Sequence, residues 1–178
     1  MALKKGARAV RSLSTTRRKA VLGGLSAAVL SGCANKPQTY NGPEVTRLRL
    51  HKSQRMLVLD GVSEPLRTYP VGLGVAPTAH KQFEGAGRTP EGSYLIDRRN
   101  PASLFHLSIG ISYPNEADKT FAAAQGKSPG SDIFIHGGPR PGIDPMDLQD
   151  WTAGCIAVTD PEIQEIYAFE PIIVIYHF

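Results

Sequence analysis

From residue 45 onward the chain never holds one apolar pattern for long. Strand-prone runs of four to eight residues (45–51, 56–59, 66–71, 92–97, 104–111, 132–136, 155–158 and 171–176) are separated by stretches rich in Gly and Pro. With 18 Gly and 14 Pro in the chain, such punctuation ends strands before they can lengthen. Alternation is clear over 45–51, where one face is apolar and the other polar. Helical spacing stands out at 161–169. There Thr159 or Asp160 can cap, Pro161 suits the first turn, and Ile163, Ile166 and Tyr167 form the apolar stripe. A weaker helical pattern covers 116–125. No period of 20–50 residues repeats. The pattern predicts one mainly β domain over 45–178, a sandwich or irregular barrel with one or two short helices.

Composition sets the outer bounds. At 41% hydrophobic residues, the chain is too apolar to stay disordered. No apolar run reaches the roughly 18–20 residues that cross a bilayer as a helix. The net charge of +4 is unevenly placed, because seven Lys or Arg and no acid fall within residues 1–32. Without those seven, 13 bases face 16 acids, a balance of −3, so no basic face is left for nucleic acid.

That basic segment reads as an export signal. Thr16-Arg17-Arg18-Lys19 is followed by a modest apolar run over 20–30, closing with Leu30-Ser31-Gly32-Cys33. Leu-Ser-Gly-Cys resembles the lipobox of bacterial lipoproteins, which implies cleavage after Gly32 and acylation of Cys33. The paired arginines resemble a twin-arginine signal, but Ala20 stands where a large apolar residue is usual, which leaves the export route open. Residues 33–44 then read as an acylated tether. Ala34 after the cysteine, by analogy with lipoprotein sorting, favours the outer membrane, with the domain facing the periplasm. More than one acyl chain gives stable anchoring.

Lipidation of Cys33 leaves Cys155 without a partner in an oxidising compartment, which favours use over packing. Its surroundings are Trp151-Thr152-Ala153-Gly154-Cys155-Ile156-Ala157-Val158, a flexible joint opening into a strand. Upstream, Ile133-Phe134-Ile135-His136-Gly137-Gly138 reads as a strand ending at His136. A thiol with a pKa near 8.5 is mostly protonated at neutral pH, and a histidine within hydrogen-bond reach can take its proton. Main-chain N–H groups at Gly154 and Cys155 are candidates for holding an oxyanion.

With these residues in place, the sequence resembles the L,D-transpeptidase catalytic (YkuD-type) family of peptidoglycan enzymes. His136 followed by Thr152, Gly154 and Cys155 fits its signature of His, a gap, then Ser/Thr-x-Gly-Cys. Gly87-Arg88-Thr89-Pro90-Glu91-Gly92 is similar to its Thr-Pro-x-Gly turn, and residues 105–115 to a segment of one branch. Two positions depart: Ala153 stands where many members carry a second His, and Ala157 where Arg is commonest. The resemblance implies that the Cys155 thiolate attacks the carbonyl joining diaminopimelate to D-Ala in a stem peptide. It further implies that His136 is base and then acid, that the carbonyl of Gly137 orients its ring, and that Thr152 shapes the loop. A thioester results, and an amine acceptor resolves it; if water does so, the protein is instead an L,D-carboxypeptidase or endopeptidase. No cofactor is implied, and the expected partner is the peptidoglycan stem peptide.

Other polar residues carry two readings each. His106 is either a hydrogen-bonded structural group or a pocket lining, and Tyr113 either core or pocket wall. Arg88 and Arg140 flank turns, and either receive substrate carboxylates or are solvated. Trp151 reads as a packing anchor. The histidines are too scattered for a metal site, and Asp144, Asp147 and Asp150 are too widely spaced for a calcium loop. In papain-like hydrolases the cysteine precedes its histidine, the reverse of the order here. A non-enzymatic wall-binding module is the remaining alternative.

Overall fold

In the computed structural model of the 178-residue chain, residues 40–139, 149–168 and, as backbone, 172–176 are described. Among the described residues, eight strands and two helices follow in the order β1 (Arg47–His51), β2 (Met56–Asp60), β3 (Pro65–Pro70), β4 (Gly92–Asn100), β5 (Ser108–Ile111), α1 (Glu116–Ala124), β6 (Phe134–His136), β7 (Ile156–Ala157), α2 (Asp160–Ile166) and β8 (Ile172–Tyr176). The strands pair in the order β3-β2-β1-β8-β4-β5-β6-β7. The β1–β8 and β6–β7 pairs are parallel and the rest antiparallel. Beyond β3 the chain turns back onto β7 through bridges Gly72↔Ala157 and Gly74↔Thr152, so the two ends of the order meet. The mainly β architecture with two short helices is the one the sequence predicts.

Alternation explains which faces turn inward. Leu48 and Leu50 of β1 and Leu57 and Leu59 of β2 are fully buried, joined by Ile109, Ile111, Ile135 and Ile156. Each such side chain contributes about 1.5–3 kcal/mol through burial. On the opposite face of β1, Arg47 and Arg49 both reach the Asp60 carboxylate, which holds its pKa below the ordinary carboxylate value. Tyr40 already packs against the core, so the segment expected as a tether joins the domain there.

The helices begin where capping chemistry dictates. Asn115 accepts the Asp118 N–H at 3.0 Å, while the Asp118 carboxylate accepts the Asn115 N–H at 2.9 Å. This reciprocal box starts α1 despite its weak apolar stripe. In α2 the Thr159 N–H is taken by the Glu162 carboxylate at 2.8 Å. Several strands are shorter than their sequence patterns suggest, and for two of them the backbone shows why. Residues 104–107 form no strand because His106 adopts φ +68 and the carbonyls of Phe105 and Leu107 both accept the Gly137 N–H. Asp132 has φ +59, which delays β6 to Phe134.

Candidate active site

The cysteine loop is built on a strip of chain beside it. Thr152 donates its N–H to the Leu73 carbonyl at 3.0 Å and accepts the Val75 N–H at 3.0 Å. The Thr152 hydroxyl is buried and works in both directions: it donates to the Cys155 carbonyl at 2.7 Å and accepts the Gly154 N–H at 3.1 Å. Gly154 has φ +136, and a Cβ there would stand 2.6 Å from the Arg88 carbonyl oxygen. A Cβ on Gly74 would stand 2.2 Å from the Gly87 carbonyl oxygen. The Thr89 hydroxyl accepts the Gly74 N–H at 3.2 Å. The Thr-Pro turn therefore backs the cysteine loop from behind. The Gly154 N–H, considered above for an oxyanion, is occupied by Thr152 in this arrangement.

His136 is placed by strand pairing. The parallel register sets Ile135 beside Ile156 and His136 beside Ala157. Since alternate residues share a face, His136 and Cys155 project from adjacent strands on the side opposite the core residues Ile135 and Ile156. His136 is 4% exposed, with Phe105 at 4.6 Å and Trp151 at 5.6 Å between ring centroids. Its Nδ1 lies 2.7 Å from the Gly137 carbonyl. A carbonyl only accepts, so Nδ1 carries the proton and Nε2 is left with a free lone pair. Burial pushes the imidazole pKa below 6.5, against a smaller upward pull from the Gly137 carbonyl. The ring is thereby held neutral.

The thiol sits apart from that ring. Its hydrogen bond goes to the Asp132 carbonyl at 3.6 Å, and the imidazole is not among its partners. Burial raises its pKa above 9.0; the Phe134 N–H and the Lys81 ammonium pull it down, and Asp132 pushes it up. Cys155 opens on a cleft of about 360 Å³ whose walls include Lys81, Glu84, Asp132, Ile133 and Ala153.

The remaining candidates lie elsewhere. Tyr113 is 3% exposed, and its hydroxyl reaches the carbonyls of Lys81 at 3.2 Å and Pro129 at 3.0 Å. It thus lies behind the cleft wall. His106 meets the Gln164 side chain of α2 at 2.8 Å. Arg88 contributes its carbonyl under Gly154, and its side chain is not among the cleft's lining. Arg140, Asp144, Asp147 and Cys33 lie outside the described residues. Asp150 pairs with Arg55 at 2.7 Å and accepts the Leu73 N–H at 3.2 Å, steadying the entry to the loop. Among the described residues no group of three His, Cys, Asp or Glu side chains is arranged to hold a metal ion. Sequence reasoning missed Lys81 altogether, because a lysine in a polar, Gly-rich stretch reads as solvated.

Fold and site together define a closed mixed-β domain with a cleft-facing thiol and a histidine fixed on the neighbouring strand. Residues 46–173 match the model of the L,D-transpeptidase catalytic domain (YkuD) family, well over half of the chain. The chain belongs to that family. Among solved structures it is similar to Pgp2, the helical cell shape determining protein of Campylobacter jejuni, with 25% identity and a TM-score of 0.60 over 82% of this chain and 52% of that one. It is also similar to Bd1075 of Bdellovibrio bacteriovorus, with 26% identity and a TM-score of 0.53 over 79% of this chain and 52% of that one. The chain thus spans about half the length of these structures. No curated protein sequence matches it.

Proposed function

We propose that this protein is a cysteine-dependent L,D-transpeptidase acting on the diaminopimelate–D-Ala bond of peptidoglycan stem peptides. The observation that carries the reading is a cleft-facing Cys155 beside a strand whose His136 is locked, by its Nδ1 contact to Gly137, with Nε2 unprotonated. Nε2 takes the thiol proton as sulfur attacks the scissile carbonyl. The C–N bond breaks as the imidazolium returns that proton to the D-Ala nitrogen, and a thioester remains on Cys155. An acceptor amine then attacks the thioester, His136 accepts its proton, and the thiol is restored. Thr152 holds the nucleophile's backbone throughout. Family membership and the likeness to a cell-shape protein both support peptidoglycan as the substrate.

The sequence supports a lipid anchor on Cys33, with the domain held at a membrane, the outer one favoured, facing the periplasm. Digestion of a disaccharide-tetrapeptide with the full-length protein tests the catalytic reading. Released D-Ala together with cross-linked dimers is expected, and Cys155→Ala should abolish both. Tripeptide without dimers identifies water as the acceptor and makes the protein an L,D-carboxypeptidase. Intact tetrapeptide refutes the reading. Loss of palmitate labelling in Cys33→Ala tests the anchor.

A further inference from the structure

Among the described residues two lysines are almost wholly buried, and their surroundings differ. Lys52, 1% exposed, fills all three ammonium donors: the carbonyls of Ala79 at 2.7 Å and Thr89 at 2.8 Å, and the Glu91 carboxylate at 2.9 Å. It staples two loops together and has nothing left to offer. Lys81, 3% exposed, donates one hydrogen bond, to the Phe83 carbonyl at 3.1 Å. Among the described residues no carboxylate lies within ion-pair distance of its ammonium. Burying a cation without a directly paired anion is unfavourable, and burial holds the Lys81 pKa below its ordinary value, against smaller upward pulls from Cys155 and Glu84.

Lys81 is nevertheless held firmly. Its carbonyl is gripped by the Tyr113 hydroxyl, and its ammonium stands 5.9 Å from the Tyr113 ring centroid. Its side chain lines the Cys155 cleft. Glu84 and Asp132, the carboxylates among the cleft's described lining, are exposed to water, and Asp132 lies 3.6 Å from Arg98. The thiol and the ammonium share this small space without a hydrogen bond to each other. A ligand group positioned just past the sulfur therefore meets an ammonium with donors to spare.

We propose that Lys81 is the residue that receives the free C-terminal carboxylate of the departing D-alanine. The proposal rests on the reading of function above and names the side chain that recognises the leaving group. That carboxylate is two bonds from the scissile nitrogen, whereas the free carboxylate of diaminopimelate is carried at the far end of its side chain. A stem peptide extended or amidated at this position brings no anion and leaves the buried ammonium unpaired. Hydrogen bonds to charged groups predict a selectivity of roughly 10- to 100-fold.

The test compares a disaccharide-tetrapeptide ending in free D-Ala with the same compound bearing a C-terminal carboxamide, using the full-length protein. The expected result is a kcat/KM about 10- to 100-fold lower for the carboxamide. In Lys81→Met that gap should close to within about threefold, while Lys81→Arg should retain part of it. Equal cleavage of both compounds by the unaltered protein overturns the proposal and leaves the functional reading standing. A Lys81→Met variant that slows both compounds equally, with the gap intact, also overturns it and assigns Lys81 to the thiol alone. Cleavage of neither compound by the unaltered protein refutes the functional reading and removes the proposal with it.

Discussion

Replacing Gly154 by alanine tests the account of the nucleophile loop most directly. Two penalties are legible at this position. The backbone is at φ +136, a region that costs a residue with a Cβ about 1–3 kcal/mol. The new methyl would also stand 2.6 Å from the Arg88 carbonyl oxygen, a backbone atom that cannot swing aside. The segment bearing it is tied down, with the Gly87 carbonyl accepting the Ala76 N–H at 2.9 Å. Overpacking of this kind adds about 1–3 kcal/mol, which brings the expected loss to about 2–6 kcal/mol. Gly126→Ala provides the control, since φ there is +64 and nothing lies within 4 Å of the added methyl. Only the left-handed penalty of about 1–2 kcal/mol applies to it. Urea unfolding of both variants measures the difference. With a slope of about 1–3 kcal/mol per molar, the mid-range difference of about 2.5 kcal/mol places the Gly154 variant's midpoint about 1 M below the control's. Equal midpoints, with unchanged alkylation of Cys155, would refute the close approach of the Thr-Pro turn to the loop.

Thr152→Val keeps the shape of the side chain but strips partners from the Gly154 N–H and the Cys155 carbonyl. Thermal unfolding should report a loss of about 1–3 kcal/mol, and Thr152→Ser should recover most of it. Because burial disfavours the imidazolium of His136, the acid limb of kcat/KM should have its midpoint below pH 6.5, and a midpoint above that value contradicts a buried neutral base. The thiol pKa is pushed the other way, so alkylation of Cys155 by iodoacetamide should still be climbing above pH 9.0. The Asp60 pKa is lowered by Arg49 and Arg47, so its ion pairs stabilise the fold above the ordinary carboxylate pKa of 3.8. That contribution disappears as pH falls through the lower folded value. Asp60→Asn should flatten acid unfolding in that window, and an unchanged acid transition would count against the pairing.

The elements with strong local signals were legible in the residues. Alternation at 45–51 and 56–59 marked β1 and β2, and Thr159-Asp160-Pro161 marked the start of α2. Residues 71–75 were harder to read. Gly72 and Gly74 look like turn residues, yet a Cβ on Gly74 would run into the Gly87 carbonyl, and one on Gly72 would crowd the Gln149 carbonyl and the Trp151 ring. The run over 104–111 looked like one strand, because the hydrogen bonds that fold residues 105–107 around Gly137 come from a partner distant in sequence. At the site, residue order made legible that the strand ending at His136 lies beside the one that follows Cys155, whereas the expected thiol–imidazole hydrogen bond is replaced by one to the Asp132 carbonyl. The sulfur's contact with Asp132 and the burial of Lys81 depend on how loops stack in space, and no local spacing encodes that.

The pairing of β1 with β8 has a consequence for how the protein comes into being. The first strand of the domain finds its parallel neighbour more than a hundred residues downstream, and that late strand lies at the middle of the sheet order, between β1 and β4. A polypeptide emerging from its N-terminus lacks this central slat until residues 172–176 appear. Such long-range pairings are slow to form. The sheet is thus kept from closing until its two most distant strands have both been made.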